Sequence, residues 1–388
     1  MACWLRQRGH DVRVVTAFPY YPQWRLSASD RRSGWRCDRI ETIVTYRCPI
    51  YVPRNPRALH RMLHLLSYAI SMAPVLVWQA VTWKPEIIIA VQPTVFAAPA
   101  TLLAARLSGA VSWSHIQDYE VEAAFGAAVV RGEGLRRFAL ALERWAIRGF
   151  DYASTISPTM AARLRDKGFP ADRIRLLPNW VDTGDIKRIE GPNAFRTQLG
   201  LDADDVIALY AGNLGRSQGL ETLIDAARVL QGQKVHLVIA GDGAVKAEIM
   251  AMSHALERVY FLPLQPAQRL NELLNLADIH VLPRQRGLVD CNMPSKLLNM
   301  LASGRPIVAA ADEGSDVAEV VGLCGVVVAP EDGAAMAGAV ALLARNPARR
   351  AALGAAGRAQ AIARWGRDAI LSQFEQCFET VRSAVPSG

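Results

Sequence analysis

From residue 206 onward the chain repeats one pattern: a short apolar run, a turn marked by Gly or Pro, then a stretch of helical period. The runs are Val206–Ala211, Val235–Ala240, Ile279–Leu282 and Pro306–Ala310; the helices predicted among them are Gly219–Leu230, Ala267–Leu276 and Pro294–Ala302. Apolar runs without polar alternation are strands covered on both faces, as in a parallel sheet flanked by helices. A looser series precedes them: strand Glu86–Val91, a helix to about Ser108, a strand ending at Ser112–Ile116, helix 133–148 and strand Tyr152–Ile156. Ser157-Pro158 then opens a helix with an N-cap and Pro at N1. At 388 residues, 51% of them apolar and 21% charged, the chain exceeds a single core and is not disordered. The expected fold class is α/β, two Rossmann-like domains facing a cleft. The expected boundaries are an N-terminal domain 1–182, a linker 183–200, a C-terminal domain 201–366 and a helix 367–388 packing back on the first domain.

The N-terminus breaks the pattern. Residues 2–9 read as the last turns of a helix closed by Gly9, and the β-rich run 11–16 follows. A parallel α/β domain ordinarily opens on a strand and a glycine turn before its first helix. The N-terminal domain is therefore expected to lack its first strand: either the start lies upstream, or the first βα unit is absent. No secretory leader is recognisable, and six Cys without a CxxC pair read as reduced thiols in a cytoplasmic protein without a zinc site.

Charge separates the halves. Residues 1–190 hold 26 Lys and Arg against 16 Asp and Glu, a net +10, whereas 191–388 carry −2. The first half is thus the one suited to an anionic partner. No basic run or nucleic-acid-binding motif is present, so nucleic acid is not the expected partner. Between Arg61 and Lys84 lie 22 residues without formal charge, broken by His64, Pro74 and Gln79. They suit a buried helix pair, or an interfacial helix with Trp78 and Trp83 at headgroup level and Arg54, Arg57 and Arg61 on phosphates; a transmembrane span fits less well.

Three second-domain segments suggest phosphate chemistry. Gly212-Asn213-Leu214-Gly215-Arg216 follows a strand, so Gly212 and Gly215 let the backbone approach a phosphate while Arg216 offers a charged fork. The turn lacks the Gly-Lys-Ser/Thr of a Walker loop. In Asn292-Met293-Pro294-Ser295-Lys296, Asn292 or Met293 is expected at the N-cap and Pro294 at N1, with free amides at Ser295 and Lys296, the Lys296 ammonium beside them and Asn299 one turn on. Gly241-Asp242-Gly243 is a structural turn or a loop under a base. In the first domain, His115, Gln117, Asp118, Glu120 and Glu122 crowd a strand end, where an imidazole and carboxylates could meet sugar hydroxyls.

These segments resemble the GT-B glycosyltransferases of family 4, most of all its colanic-acid and O-antigen type members. The resemblance rests on Gly212–Gly215 with Gln218-Gly219-Leu220-Glu221, on Ala240–Gly243, and on Met293–Lys296 with Ala302–Pro306. Ile156-Ser157, Leu177–Asp182 and His115–Asp118 add to it, over nearly the whole chain. It implies that the second domain binds a nucleotide-sugar through Gly212, Asn213, Gly215, Gln218, Gly241, Asp242, Gly243, Pro294, Ser295 and Asn299. Arg216 and Lys296 would neutralise the leaving diphosphate, with no metal and no cofactor. His115 and Asp118 would orient donor sugar and acceptor, with Gln117, Glu120 and Glu122 on the acceptor side. The implied activity is sugar transfer with retained configuration to a lipid-linked glycan in bacterial surface polysaccharide synthesis, with peripheral contact at the inner membrane. Asp202-Ala203-Asp204 reads as a turn.

The chain departs from the family at several points. Cys291 and Asn299 stand where the family often has a Glu pair, Gln218 stands for a Lys, and Gln117-Asp118 replaces His-Asp. The glycine turn after the family's first strand would precede Met1. A nucleotide-sugar 2-epimerase of the same architecture and a truncated, non-catalytic relative are the alternatives; no early GxGxxG supports a NAD enzyme.

Overall fold

The computed structural model describes residues 1–20, 24–53, 58–92, 95–119, 133–286 and 294–384. The chain divides into unit 1, Met1–Pro178 with Leu371–Gly388, and unit 2, Asn179–Ile370. Unit 1 runs α1 (Ala2–Gln7), β1 (Arg13–Ala17), β2 (Arg36–Ile40), β3 (Ile43–Cys48), α2 (Ala58–Thr82), β4 (Ile87–Gln92), α3 (Ala98–Ser108), β5 (Val111–Ile116), α4 (Glu133–Arg148), β6 (Tyr152–Thr155), α5 (Pro158–Asp166) and β7 (Ile174–Leu176). Unit 2 runs α6 (Ala194–Gln198), β8 (Val206–Ala211), α7 (Glu221–Val229), β9 (Val235–Ala240), α8 (Lys246–Met252), β10 (Val259–Leu262), α9 (Leu270–Leu274), β11 (Ile279–Leu282), α10 (Ser295–Ala302), β12 (Ile307–Ala310), α11 (Asp316–Gly322), β13 (Gly325–Val328), α12 (Gly333–Ala344) and α13 (Pro347–Trp365). The last helix, α14 (Arg367–Ala384), begins in unit 2 and continues in unit 1.

Unit 2 is one parallel sheet in the order β10-β9-β8-β11-β12-β13. The first strand in sequence, β8, lies inside it, with Ala208 opposite Leu237 on one side and Ile279 on the other. Its residues Val206–Tyr210 are buried because helices cover both faces, which explains the unbroken apolar run. The segment expected as a linker, 183–200, does not stand apart. Ile186 and Phe195 are buried in unit 2, and Asn193 caps α6 by accepting from the Phe195 amide at 3.0 Å.

Unit 1 holds two sheets, β1-β3-β2 and β4-β5-β6-β7. At its centre Trp113 of β5 is fully buried, stacked on Tyr152 at 5.3 Å, with Phe374 and Phe378 of α14 edge-on at 5.2 and 5.3 Å. Ser157 accepts the Met160 amide at 3.3 Å and caps α5, with Pro158 first in the helix. Where a buried helix pair was one of the expectations, α2 is a single helix that continues through Pro74. It covers the first sheet with Ala69, Met72 and Ala80 and leaves Met62, Leu63, Leu66, Ile70, Trp78 and Val81 exposed. Trp83 is no headgroup anchor: its indole donates to Asp11 at 2.8 Å under the Arg13 guanidinium. Arg54 and Arg57 lie outside the described residues.

Glu143 of α4 and Lys167 after α5 form a buried ion pair at 2.5 Å. Removing one member strands a charge in the interior, so Lys167→Ala should cost about 3–5 kcal/mol in chemical denaturation, and Glu143→Leu with Lys167→Met should recover most of it.

Candidate functional site

The site in unit 2 is built where β8 and β9 end. The turns after them interlock: the Gly212 amide donates to Ala240 O at 2.9 Å and the Leu214 amide to Asp242 O at 2.9 Å. Only glycine permits this approach. A Cβ on Gly241 (φ +146°) would stand 1.9 Å from Gly212 O, and one on Gly243 (φ +157°) 2.5 Å from Leu214 O. A third turn closes on them, since a Cβ on Gly219 would meet the Arg284 carbonyl carbon at 2.8 Å. Thus the loops after β8, β9 and β11 pack backbone against backbone.

Lys296 stands beneath this layer. Its Cδ lies 3.6 Å from where a Gly212 Cβ would be, and its ammonium donates to Tyr210 Oη at 3.1 Å and to Gln218 Oε1, 4.7 Å above the Tyr210 ring. Tyr210 is fixed in turn by donating to Asn213 O at 2.7 Å. Both oxygen partners of the ammonium are uncharged. Burial, with the nearby positive charge of Arg284, pushes the Lys296 pKa down from 10.5 to about 8. The lysine is positioned by α10, whose N-cap is Pro294 and not Asn292 or Met293; Pro294 is therefore not at N1. Among the described residues no side chain caps this terminus, and the first amides, at Ser295 and Lys296, lie on the positive end of the helix dipole. His280 of β11 anchors the other end of α10: fully buried and held neutral by a pKa near 3, its Nε2 lies 3.0 Å from Ser303 Oγ.

The remaining donor-side candidates spread from this centre. Gly215 and Asn213 complete the first turn, with Asn213 Nδ2 3.0 Å from where a Gly215 Cβ would be. Ser295 is exposed and Asn299, one turn on, is half-buried. Asp242 accepts from the Gly243 amide at 3.0 Å and leaves its carboxylate open apart from Lys246 at 3.7 Å. Arg216 is largely exposed and turned to Glu248 at 3.8 Å, not held beside Lys296. Arg284, which sequence reasoning missed, is the cation that shifts Lys296; its signal was Leu282-Pro283-Arg284, a strand end leading into the same layer. Among the described residues no His, Cys, Asp and Glu group could hold a metal, and Asp204 of the Asp-x-Asp turn pairs with Lys234 at 2.5 Å.

In unit 1 His115 is the penultimate residue of its strand, as expected, but its ring is buried. It lies within β5, 3% exposed, its Nδ1 2.9 Å from Ser154 Oγ, and burial lowers its pKa to about 4. A neutral ring of this kind accepts at Nε2 from the Gln117 amide at 3.3 Å, which places its proton on Nδ1. His115 thus holds the Gln117 amide. Asp118 is at the surface, its carboxyl raised above the usual range by partial desolvation. Glu120 and Glu122 lie outside the described residues, as do Cys291, Asn292 and Met293.

Comparison with known proteins decides the family. Residues 193–360 match the model of glycosyl transferases group 1, and residues 1–180 match the glycosyl transferase 4-like domain. The chain is 40% identical over 327 residues, 82% of its length, to the putative colanic acid biosynthesis glycosyl transferase WcaI of Escherichia coli K12, of which it covers 80%. The chain belongs to this glycosyltransferase family. Solved structures agree on the fold. Sucrose-phosphate synthase from Thermosynechococcus elongatus superposes with a TM-score of 0.75 at 20% identity, covering 98% of this chain and 91% of that one. Anabaena HepE, solved with UDP and glucose, gives 0.67 at 16% identity over 95% and 100%. The glycosyltransferase is therefore a GT-B protein with two Rossmann-like α/β domains.

Because the Lys296 pKa in the folded glycosyltransferase lies below its unfolded value of 10.5, the unfolded chain binds the extra proton between the two. Stability should therefore rise as pH increases from about 8 towards 10.5, and Lys296→Met should flatten that part of the rise in urea titrations across this range.

Proposed function

We propose that this glycosyltransferase moves a hexosyl or deoxyhexosyl group from a nucleotide-diphosphate sugar to a lipid-linked glycan, with retained configuration and without a metal, in bacterial exopolysaccharide synthesis. One observation carries the reading: a lysine ammonium kept under a glycine-turn layer by neutral oxygens, on a helix whose first turn has no side-chain cap among the described residues. That is a cationic pocket for the diphosphate of a departing nucleotide. The names of two relatives support it, the colanic acid transferase of Escherichia coli and the UDP- and glucose-bound HepE.

In this mechanism the acceptor hydroxyl attacks the anomeric carbon on the face the diphosphate leaves. The bond to the β-phosphate oxygen breaks, the electron pair departs with the nucleotide, and that oxygen takes the hydroxyl proton. Lys296, the amides of Ser295 and Lys296 and, once swung inward, Arg216 neutralise the developing charge. Ser295 and Asn299 border the phosphates, and the Gly241-Asp242-Gly243 turn lies towards the nucleoside. On the acceptor side Gln117, set by His115, and Asp118 orient the hydroxyls, with Glu120 and Glu122 following in sequence.

Lys296→Ala should weaken nucleoside diphosphate binding by about 1.5–3 kcal/mol in calorimetric titration, the value of a lost charge-assisted bond. With a panel of nucleotide-sugars and a bacterial lipid extract as acceptor, the purified protein should release nucleoside diphosphate and form an anomer-retained glycolipid. Release of a free sugar isomer without acceptor would instead indicate an epimerase.

Membrane contact at the cytoplasmic leaflet is part of the same reading. Met62, Leu66, Ile70, Trp78 and Val81 share one broad face of α2, with Trp35 exposed near it and donating to Ser71 O at 2.7 Å. Flotation with anionic vesicles at low salt should carry the protein upward, and Leu66→Glu with Ile70→Glu should leave it at the bottom with donor binding intact.

A further inference from the structure

We propose that unit 1 carries a recognition site for a glycosyl phosphate, made by Tyr20, Trp24, His64 and Arg61: ring faces for the sugar, the imidazole for a hydroxyl and the guanidinium for the phosphate. Three segments bring these groups together. Tyr20 and Trp24 follow the C-terminal end of β1, Tyr51 follows that of β3, and Arg61 and His64 stand in the first two turns of α2. β1 and β3 are parallel neighbours, so the chain leaves both at the same end of the sheet, the end at which open α/β sheets bind ligands.

The rings meet as a cluster. Tyr20 lies edge-on to His64 with centroids 4.6 Å apart, and Trp24 stands 5.4 Å from His64 and 5.6 Å from Tyr20. The Arg61 guanidinium is 5.7 Å from the Trp24 ring. Tyr20 and Trp24 are half-buried, so each keeps part of its ring at the surface. Trp24 has φ +49°, a left-handed conformation that is costly for a bulky residue, and such strain concentrates at ligand sites.

His64 supplies the fixed polar group. Its Nδ1 donates to Tyr51 O at 2.5 Å, since a carbonyl can only accept. Ser67 holds Tyr51 in turn: its Oγ accepts the Tyr51 amide at 2.9 Å and donates to His64 O at 2.7 Å. Burial lowers the His64 pKa and keeps the ring neutral, which leaves Nε2 as a lone-pair acceptor. Among the described residues Nε2 has no hydrogen-bond partner, although His64 is only 2% exposed. The Arg61 guanidinium likewise has no hydrogen-bond or ion-pair partner among them. Aromatic faces, one oriented acceptor and one unpaired guanidinium are the chemistry that receives a sugar with an anionic substituent.

The surroundings indicate the source of that ligand. Met62, Leu66 and Ile70 of α2 extend from Arg61 as exposed apolar surface. A glycosyl phosphate esterified to a lipid chain therefore has its sugar, its phosphate and its chain each matched. The assignment rests on the lipid-linked acceptor of the proposed function and gives that acceptor a place on unit 1.

The test titrates the protein calorimetrically with glucose, galactose, mannose and fucose in two forms, as free 1-phosphates and joined to farnesyl diphosphate, and separately with UDP. At least one farnesyl-linked sugar should bind the wild-type chain. Arg61→Gln and Trp24→Gly should each raise its Kd about tenfold or more, through a lost charge-assisted contact and a lost ring face. Arg61 is exposed and glycine suits the Trp24 backbone, so both variants fold, which an unchanged thermal midpoint reports. Equal affinity for the free 1-phosphate supports the site and makes its ligand a soluble sugar phosphate. Binding that neither variant weakens, or UDP binding with no sugar bound in either form, overturns the site. Sugar binding without UDP binding keeps the site and overturns the nucleotide-sugar reading, and binding of neither overturns both.

Discussion

The turn layer of unit 2 depends on carbonyl oxygens coming to rest where side chains would otherwise be. Gly212 O occupies the volume of a Gly241 Cβ, and Leu214 O that of a Gly243 Cβ. This contact brings the turns after β8 and β9 into one layer, and the loop after β11 reaches it over Gly219 in the same manner. A single methyl group at either position would force the turns apart, and with them the floor over Lys296.

The buried ammonium is the energetic counterpart of that layer. Removing a lysine from water costs free energy, and here the compensation is a phenolic oxygen, an amide oxygen and an aromatic face, none with full charge. Arg284 increases the cost further. In the proposed reading an anion arriving here would offset both terms. Unit 1 solves a related problem in another way: His115 is kept neutral by burial and spends both ring nitrogens on orienting neighbours.

Unit 1 differs from unit 2 in how much of its apolar surface is covered. Unit 2 closes its six strands into one sheet, with the first strand buried inside it. Unit 1 leaves two sheet edges open across a groove and a long helix with one apolar face bare. Both surfaces have the composition of interior surface, and both lie in the half of the chain with net charge +10.

Much of this was legible from residue order, because strand, glycine turn and helix are local patterns. Val206–Ala211, Val235–Ala240 and Ile279–Leu282 have the bounds their apolar runs predict, as does Glu133–Arg148. The nearness of Gly212 and Lys296 was also foreseeable, since parallel strands carry their following loops to one sheet end. Other features were not local. The composition of 57–84 could not distinguish one helix from two, because Pro74 breaks a helix only if its surroundings fail to compensate. Segment 183–200 looked like a linker because its two buried side chains, Ile186 and Phe195, find their cores far away in sequence. Arg216 and Arg284 both follow a strand end in the sequence; only folding turned one to Glu248 and set the other near Lys296. What the sequence by itself determined was the succession of elements and the glycine positions, since these depend on neighbours along the chain. What only the tertiary structure decided was which charges are buried, which face of α2 is bare and which strand edges stay open, since those depend on residues separated along the chain, such as Tyr210 and Lys296, arriving at the same place.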